Sequence, residues 1–201
     1  MTSTPVIAIH GGAGTLSRSH ISPEQEASYH SALDNILRAA QQLLASGGSA
    51  LDAVSMAVEM LEDCPLFNAG LGAVFTRDAT HELDAAVMNG SDLRAGAVAG
   101  VSHIRRPVRA ARAVMEHSEH VLLIGAGAEK FAQDCGLELV APDFFSTEPR
   151  LAQLRLAQAS GAGEGACMAV PGGHDLTVGL GPDHVQRMTR FLRASLQLSP
   201  A

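Results

Sequence analysis

An α/β layered fold, helices outside and sheet inside, is predicted by three features of the sequence. First, two consecutive stretches, 23–44 and 49–61, carry apolar residues at helical spacing. Second, between 73 and 101 the period shortens to two or to brief apolar runs, as strands require. Third, from Pro107 onward helical and strand-like stretches alternate again. The chain has 201 residues, 46% hydrophobic and 17% charged, enough to bury a substantial core. Aromatics are only 3% and Trp is absent, so Ala, Val, Leu, Ile and Met must build that core.

Val6–Ile9 is apolar and β-branched between Pro5 and Gly11 and reads as a buried strand. His10-Gly11-Gly12-Ala13-Gly14 follows. It fits neither GxGxxG nor a Walker loop, and no GxSxG elbow occurs in the chain, so it reads as a tight turn near a site. Ser22-Pro23-Glu24-Gln25 is a helix start: Ser22 can cap, Pro23 suits the first turn, and Gln25 can complete a capping box. Tyr29, Leu33, Ile36, Leu37, Ala40, Leu43 and Leu44 then form one stripe, closed by Gly47. Ser49 opens a second helix with Ala50, Val54, Ala57, Val58 and Leu61 on one face. The two helices are expected to pack side by side on one face of a sheet.

Cys64-Pro65 ends the second helix. Asn68-Ala69-Gly70-Leu71-Gly72 follows, two glycines around one apolar residue, a spacing that lets the backbone approach a neighbour closely. Residues 73–76, 82–88 and 95–101 read as an antiparallel meander, with turns at 77–80 and at Asn89-Gly90-Ser91. The last of these strands is Ala/Gly-rich, so something must pack tightly on it. Residues 107–115 read as a helix with Val108, Ala111, Val114 and Met115 inward, 121–124 as a buried strand, 127–135 as a short helix, 137–140 as extended, and 147–158 as a helix carrying Leu151, Leu154 and Ala157.

The net charge of −7 and the single lysine, Lys130, argue against nucleic acid or an anionic membrane as partner. No apolar run is long enough to span a bilayer. The N-terminus lacks the form of a signal peptide. Cys64, Cys135 and Cys167 are odd in number, widely spaced and free of zinc spacing, which predicts free thiols and a cytoplasmic location. His10, His81 and His103 form no HExxH or i, i+4 pair. Asp84, on the middle strand, reads as a turn-facing or hydrogen-bonded carboxylate. The composition shifts near Ser160, dividing the chain into 1–159, a Gly/Pro-rich linker-like segment 160–183, and a terminal helical stretch 184–201.

Three motifs in order, VIAIHGGAG (Val6 to Gly14), CPLFNAGLGAVFTRD (Cys64 to Asp78) and HELDAAVMNG with AGAVAGV (His81 to Val101), resemble the plant-type asparaginases and isoaspartyl aminopeptidases. These belong to the N-terminal nucleophile hydrolases. The resemblance runs colinearly from Val6 to about Gln158 and covers the family's α subunit. It implies half of an αββα sandwich. The activity it implies is hydrolysis of asparagine and β-aspartyl peptides by a threonine freed through self-cleavage, without an organic cofactor. An α-amine then serves as base, with a pKa of about 7.7–8.0 near working pH.

By that resemblance, Asn68 lies beside the nucleophile; without it, Asn68 reads as a left-handed turn residue. Thr177, in Thr177-Val178-Gly179, is the candidate nucleophile, although Leu176 stands where the family has Gly and a turn follows instead of a strand. The main-chain oxygens of Leu61, Glu62, Cys64, Phe67, Ala69 and Leu71 match a loop that holds a sodium-like cation in the family, a hard ion suited to carbonyl ligands. The family's β subunit supplies further substrate and oxyanion groups, and no motif for them follows Thr177. The resemblance therefore implies a truncated enzyme, with a β-type subunit and a homo-oligomer as partners. The alternatives are an inactive fragment or α-type subunit that needs a separate β chain, and a small-ligand binding module using residues 10–14.

Overall fold

The computed structural model describes residues 5–12 and 21–159. Thr177, the linker-like segment 160–183 and the stretch 184–201 lie outside them. Two helices come first, α1 (Pro23–Ala45) and α2 (Ala50–Glu62). The hairpin β1 (Leu83–Met88) and β2 (Ala95–Val101) follows, then α3 (Pro107–His117), β3 (Leu122–Ile124) and α4 (Gly125–Asp134). A single 3-10 turn (Pro142–Phe145) leads into α5 (Glu148–Ala159). Among the described residues no helix is long and apolar enough to cross a membrane.

The helix ends follow their sequence signals. The Gln25 amide donates to Ser22 Oγ at 3.2 Å and the Ser22 amide to Gln25 Oε1 at 3.0 Å, a complete capping box. At the other end Gly47, at φ 91°, lets the amides of Gly47 and Gly48 turn back onto the carbonyls of Leu44 and Leu43. That is a Schellman ending, which satisfies two otherwise orphaned acceptors. Ser49 Oγ caps α2 by accepting the Asp52 amide at 3.0 Å.

α1 and α2 pack on each other as expected, but the helix that covers the sheet is α3. The apolar interior accordingly divides in two. One cluster joins Ile36, Ala40, Ala53, Ala57, Leu61 and Phe67 with Ile7. The other joins the sheet, α3 and α4 through Val87, Val98, Val101, Ala111, Val114, Ala128 and Phe145. Gly96 is what seats α3: a Cβ there would overlap the Ala111 carbonyl and the Met115 amide, so only glycine lets the helix lie this close to β2.

The sheet is not the expected meander. β1 and β2 are antiparallel, whereas β3 runs parallel to β2, with order β1-β2-β3. The β2-α3-β3 stretch is thus a crossover unit. Residues 73–76 form no strand because side chains occupy their backbone groups. The Val74 amide donates to Asn68 Oδ1 at 2.9 Å, and the Val74 carbonyl lies 3.2 Å from His81 Nδ1. The Thr76 amide donates to the Thr80 carbonyl, closing the expected turn with Ala79 at φ 60°. Val6–Ile9 is likewise no strand. Its Ala8 is a single bridge residue, and Ile7 and Ile9 pack with the α1/α2 cluster.

The 89–94 turn also differs from the tight Asn-Gly form. The Asn89 amide donates to the Arg94 carbonyl, the Leu93 amide donates to the Asn89 carbonyl, and the left-handed residue is Leu93 at φ 62°, not Gly90. β1 and β2 slip register beside Asp84, where Ala99 and Gly100 bulge. Asp84 Oδ1 accepts the Gly100 amide at 2.8 Å, so this carboxylate is indeed hydrogen-bonded. The 121–124 run is an exposed edge, not a buried strand: Leu122 is 53% and Ile124 66% accessible. With Ala86, Met88, Ala97 and Ala99 it forms the apolar outer face of the sheet, opposite α3.

Candidate functional site

The Cys64–Gly72 loop is fastened at both ends. The Leu71 amide donates to the Glu62 carbonyl at 2.7 Å, and the Phe67 amide to the Cys64 carbonyl at 3.3 Å. On the far side the Gly72 amide donates to the Phe145 carbonyl at 2.9 Å, and Arg150 Nε donates to the Gly72 carbonyl at 2.7 Å. The two glycines of NAGLG give their close approach to the chain itself. A Cβ on Gly70 would lie 2.5 Å from the Glu62 carbonyl oxygen, and one on Gly72, at φ 89°, would overlap the Pro65 carbonyl.

Asn68 is half-buried in this loop, and its side-chain oxygen holds the Val74 amide. Its backbone is not left-handed, so the turn-residue alternative does not describe it. Phe67 is buried beneath it, edge-on to Tyr29 at 5.8 Å between ring centroids. Gly11 rests on the same ring, since a Cβ there would come within 2.9 Å of Phe67 Cε1. The fold therefore brings the His10–Gly12 turn and the Asn68 loop together. It does not describe Thr177, so the pairing of Asn68 with that hydroxyl falls outside these residues.

Glu62 was legible only as a main-chain ligand by resemblance, and its side chain has a structural part of its own. The carboxyl is buried at 2% accessibility and its Oε1 accepts the Val108 amide at 2.9 Å. This caps α3, whose own N-cap residue, Arg106, makes no side-chain cap. Burial pushes the Glu62 carboxyl well above the usual range, opposed by the Val108 amide and aided by the neighbouring Glu59 and Asp63 charges. Among the described residues Oε2 has no hydrogen-bond partner. Around it a row of acids along α2 and its C-cap meets a row of arginines along α3 and its N-cap. Asp63 pairs with Arg106 at 2.6 Å, Glu59 with Arg109 at 2.7 Å, and Asp52 with Arg112 at 2.7 Å. The available signal was acid on the apolar side of α2, with Arg105, Arg106, Arg109 and Arg112 recurring along 105–112.

His81 is buried and stacked on Phe75 at 4.2 Å, with Ser146 Oγ 3.0 Å from Nε2. Desolvation lowers its pKa below that of an ordinary imidazole, against the opposing hydrogen bond to Val74. The unfolded chain thus binds this proton more readily. The stability from a neutral His81 is present above the ordinary histidine pKa and is lost as pH falls through the lowered folded value. We expect the melting temperature to drop between pH 7 and pH 5, and expect His81→Asn, at a lower starting stability, to flatten that slope. An unchanged slope in the variant would show that another group carries it.

Residues 3–171 match the sequence pattern of the asparaginase family. The chain belongs to that family. Over 156 residues it is 60% identical to an isoaspartyl peptidase of Salmonella typhimurium, covering 78% of this chain and 50% of that protein. The isoaspartyl peptidase of Escherichia coli is 60% identical over 157 residues, covering 78% and 49%. A plant-type L-asparaginase of Thermococcus kodakarensis is 48% identical over 153 residues, covering 73% and 45%. The chain spans about half the length of these asparaginase-family relatives. Within the family match lie the Asn68 loop, the His10–Gly12 turn and the β1–β2 hairpin.

Proposed function

We propose that this chain supplies the α-type half of an isoaspartyl peptidase and L-asparaginase, an amidohydrolase acting on β-aspartyl peptides and asparagine. The observation that carries the reading is the 60% identity across the segment that builds and clamps the Asn68 loop. In this reading the second half brings its own amino-terminal threonine; Thr177 is the proposed nucleophile of the self-sufficient alternative, where a cut before it would free the α-amine that accepts the hydroxyl's proton as it attacks the amide carbonyl. Asn68, braced by Val74, is the proposed neighbour of that reacting centre.

The cation loop is part of the same proposal. The carbonyls of Leu61, Glu62 and Cys64 are turned toward the loop, where each accepts a backbone amide. With those of Phe67, Ala69 and Leu71 they form a hard-oxygen donor set that suits a sodium-like ion, which would stiffen the loop. The exposed apolar face of Met88, Leu122 and Ile124 favours a second sheet supplied by a β-type chain over a free-standing enzyme, and a homo-oligomer built from such pairs.

The expected result for the 201-residue chain assayed alone is no measurable asparagine or β-aspartyl dipeptide hydrolysis. Mixing it with the second half of a relative should restore turnover. Ordinary turnover by the chain alone, abolished by Thr177→Ala, would replace the two-chain reading with a self-sufficient enzyme. No turnover in any mixture, with the two halves shown to bind, would favour an inactive fragment.

A further inference from the structure

We propose that Ser146 is a second, independent nucleophile, an acylatable hydroxyl with His81 as its base, that takes activated esters. The inference rests on hydrogen-bond directions that leave little freedom. The Val74 carbonyl can only accept, so the ring nitrogen 3.2 Å away, Nδ1, carries the proton. Nε2 is then a bare lone pair, and the group 3.0 Å from it is the Ser146 hydroxyl, which must donate. His81 is 2% accessible, and burial keeps the ring neutral and able to take a proton. Phe75 against one face and Phe145 edge-on at 6.0 Å hold the ring in this orientation.

Ser146 itself is exposed. The buried base is therefore screened from water while the hydroxyl it serves is open to reagents. A nucleophile donating to a base that a third group orients is the arrangement of hydroxyl activation. Here a backbone carbonyl is the orienting group.

With p-nitrophenyl acetate the step balances without any other reactant. Ser146 Oγ bonds to the acetyl carbon while its proton passes to His81 Nε2. The bond from that carbon to the phenolic oxygen breaks, and the proton leaves with the p-nitrophenol. Ser146 is left as its acetyl ester, which water hydrolyses by the same base.

The test is peptide mapping of the full chain after a brief exposure to p-nitrophenyl acetate or phenylmethanesulfonyl fluoride. General-base assistance is worth roughly 10²–10⁴-fold. An exposed hydroxyl takes the lower end, so Ser146 should be modified about a hundredfold faster than any other serine. Concentrated urea should abolish the preference, and so should His81→Gln in a chain whose circular dichroism shows it folded. Modification spread evenly over the serines, or an undiminished Ser146 rate in folded His81→Gln, overturns the proposal. Should His81→Gln not fold, Ser146→Cys decides. The introduced thiol should react with iodoacetamide at least about tenfold faster than the exposed Cys135, and equal rates overturn the proposal.

Discussion

Gly96→Ala is expected to lower stability by about 3 kcal/mol, at the upper end of overpacking costs, and Gly96→Val to leave the chain unfolded at 25 °C. The added carbon would overlap two backbone atoms of α3, the Ala111 carbonyl oxygen and the Met115 nitrogen, and would sit 2.8 Å from Met115 Cβ. Backbone in a packed helix cannot rotate away as a side-chain tip can. α3 must lift as a body, and Ala110, Ala111, Val114 and Met115, all buried, lose contact with the sheet together. Gly90→Ala is the matched control. Among the described residues no atom lies within 4 Å of its added carbon, and its φ is not left-handed, so its cost should stay within about 0.5 kcal/mol. Urea melts of the three variants make the comparison. Equal midpoints for Gly96→Ala and Gly90→Ala would mean that α3 does not rest on β2 at this point.

The second large effect is expected at Glu62, where two substitutions should part company. Glu62→Ala removes the acceptor that caps the Val108 amide and leaves a buried gap, at a cost of about 3 kcal/mol. Glu62→Gln keeps an oxygen in place for that amide and removes only an ionisation that burial already opposes. It should cost less than about 1 kcal/mol at neutral pH. Thermal melts at one pH are sufficient to separate them. If the glutamine variant falls as far as the alanine variant, the carboxyl must be charged and held by the arginines, and the cap is not its main contribution.

What was legible in the sequence was local. The capping box at Ser22–Gln25, the glycine stop at Gly47 and the inward face of α3 each depend on residues within a few positions of one another. The tight packing on β2 was also readable, because an Ala/Gly-rich strand has no other way to fill its face than by close approach. Residues 73–76 were misread because their composition is that of a strand while their hydrogen bonds are settled elsewhere, by Asn68, His81 and Thr80. The parallel pairing of β3 spans a whole helix and leaves no periodic trace. At the site, the motif located the Asn68 loop, but the side-chain cap from Glu62 and the Ser146–His81 contact join positions 46 and 65 residues apart. No spacing rule reaches that far.

The division of the interior into two apolar clusters joined along a charged seam sets how changes in this chain combine. A substitution at Ala57 and one at Val114 share no cluster, so their costs should simply sum. Substitutions in the seam do not have that freedom. Glu59 is held by both Arg106 and Arg109, and Asp63 by both Arg105 and Arg106. Losing one arginine alters the worth of the next. Anyone recoding this protein can treat its two interiors as separate small problems and explore each in parallel. The acid–arginine rows of α2 and α3 have to be exchanged as a block, because each charge is solvated by partners on the other helix rather than by water alone.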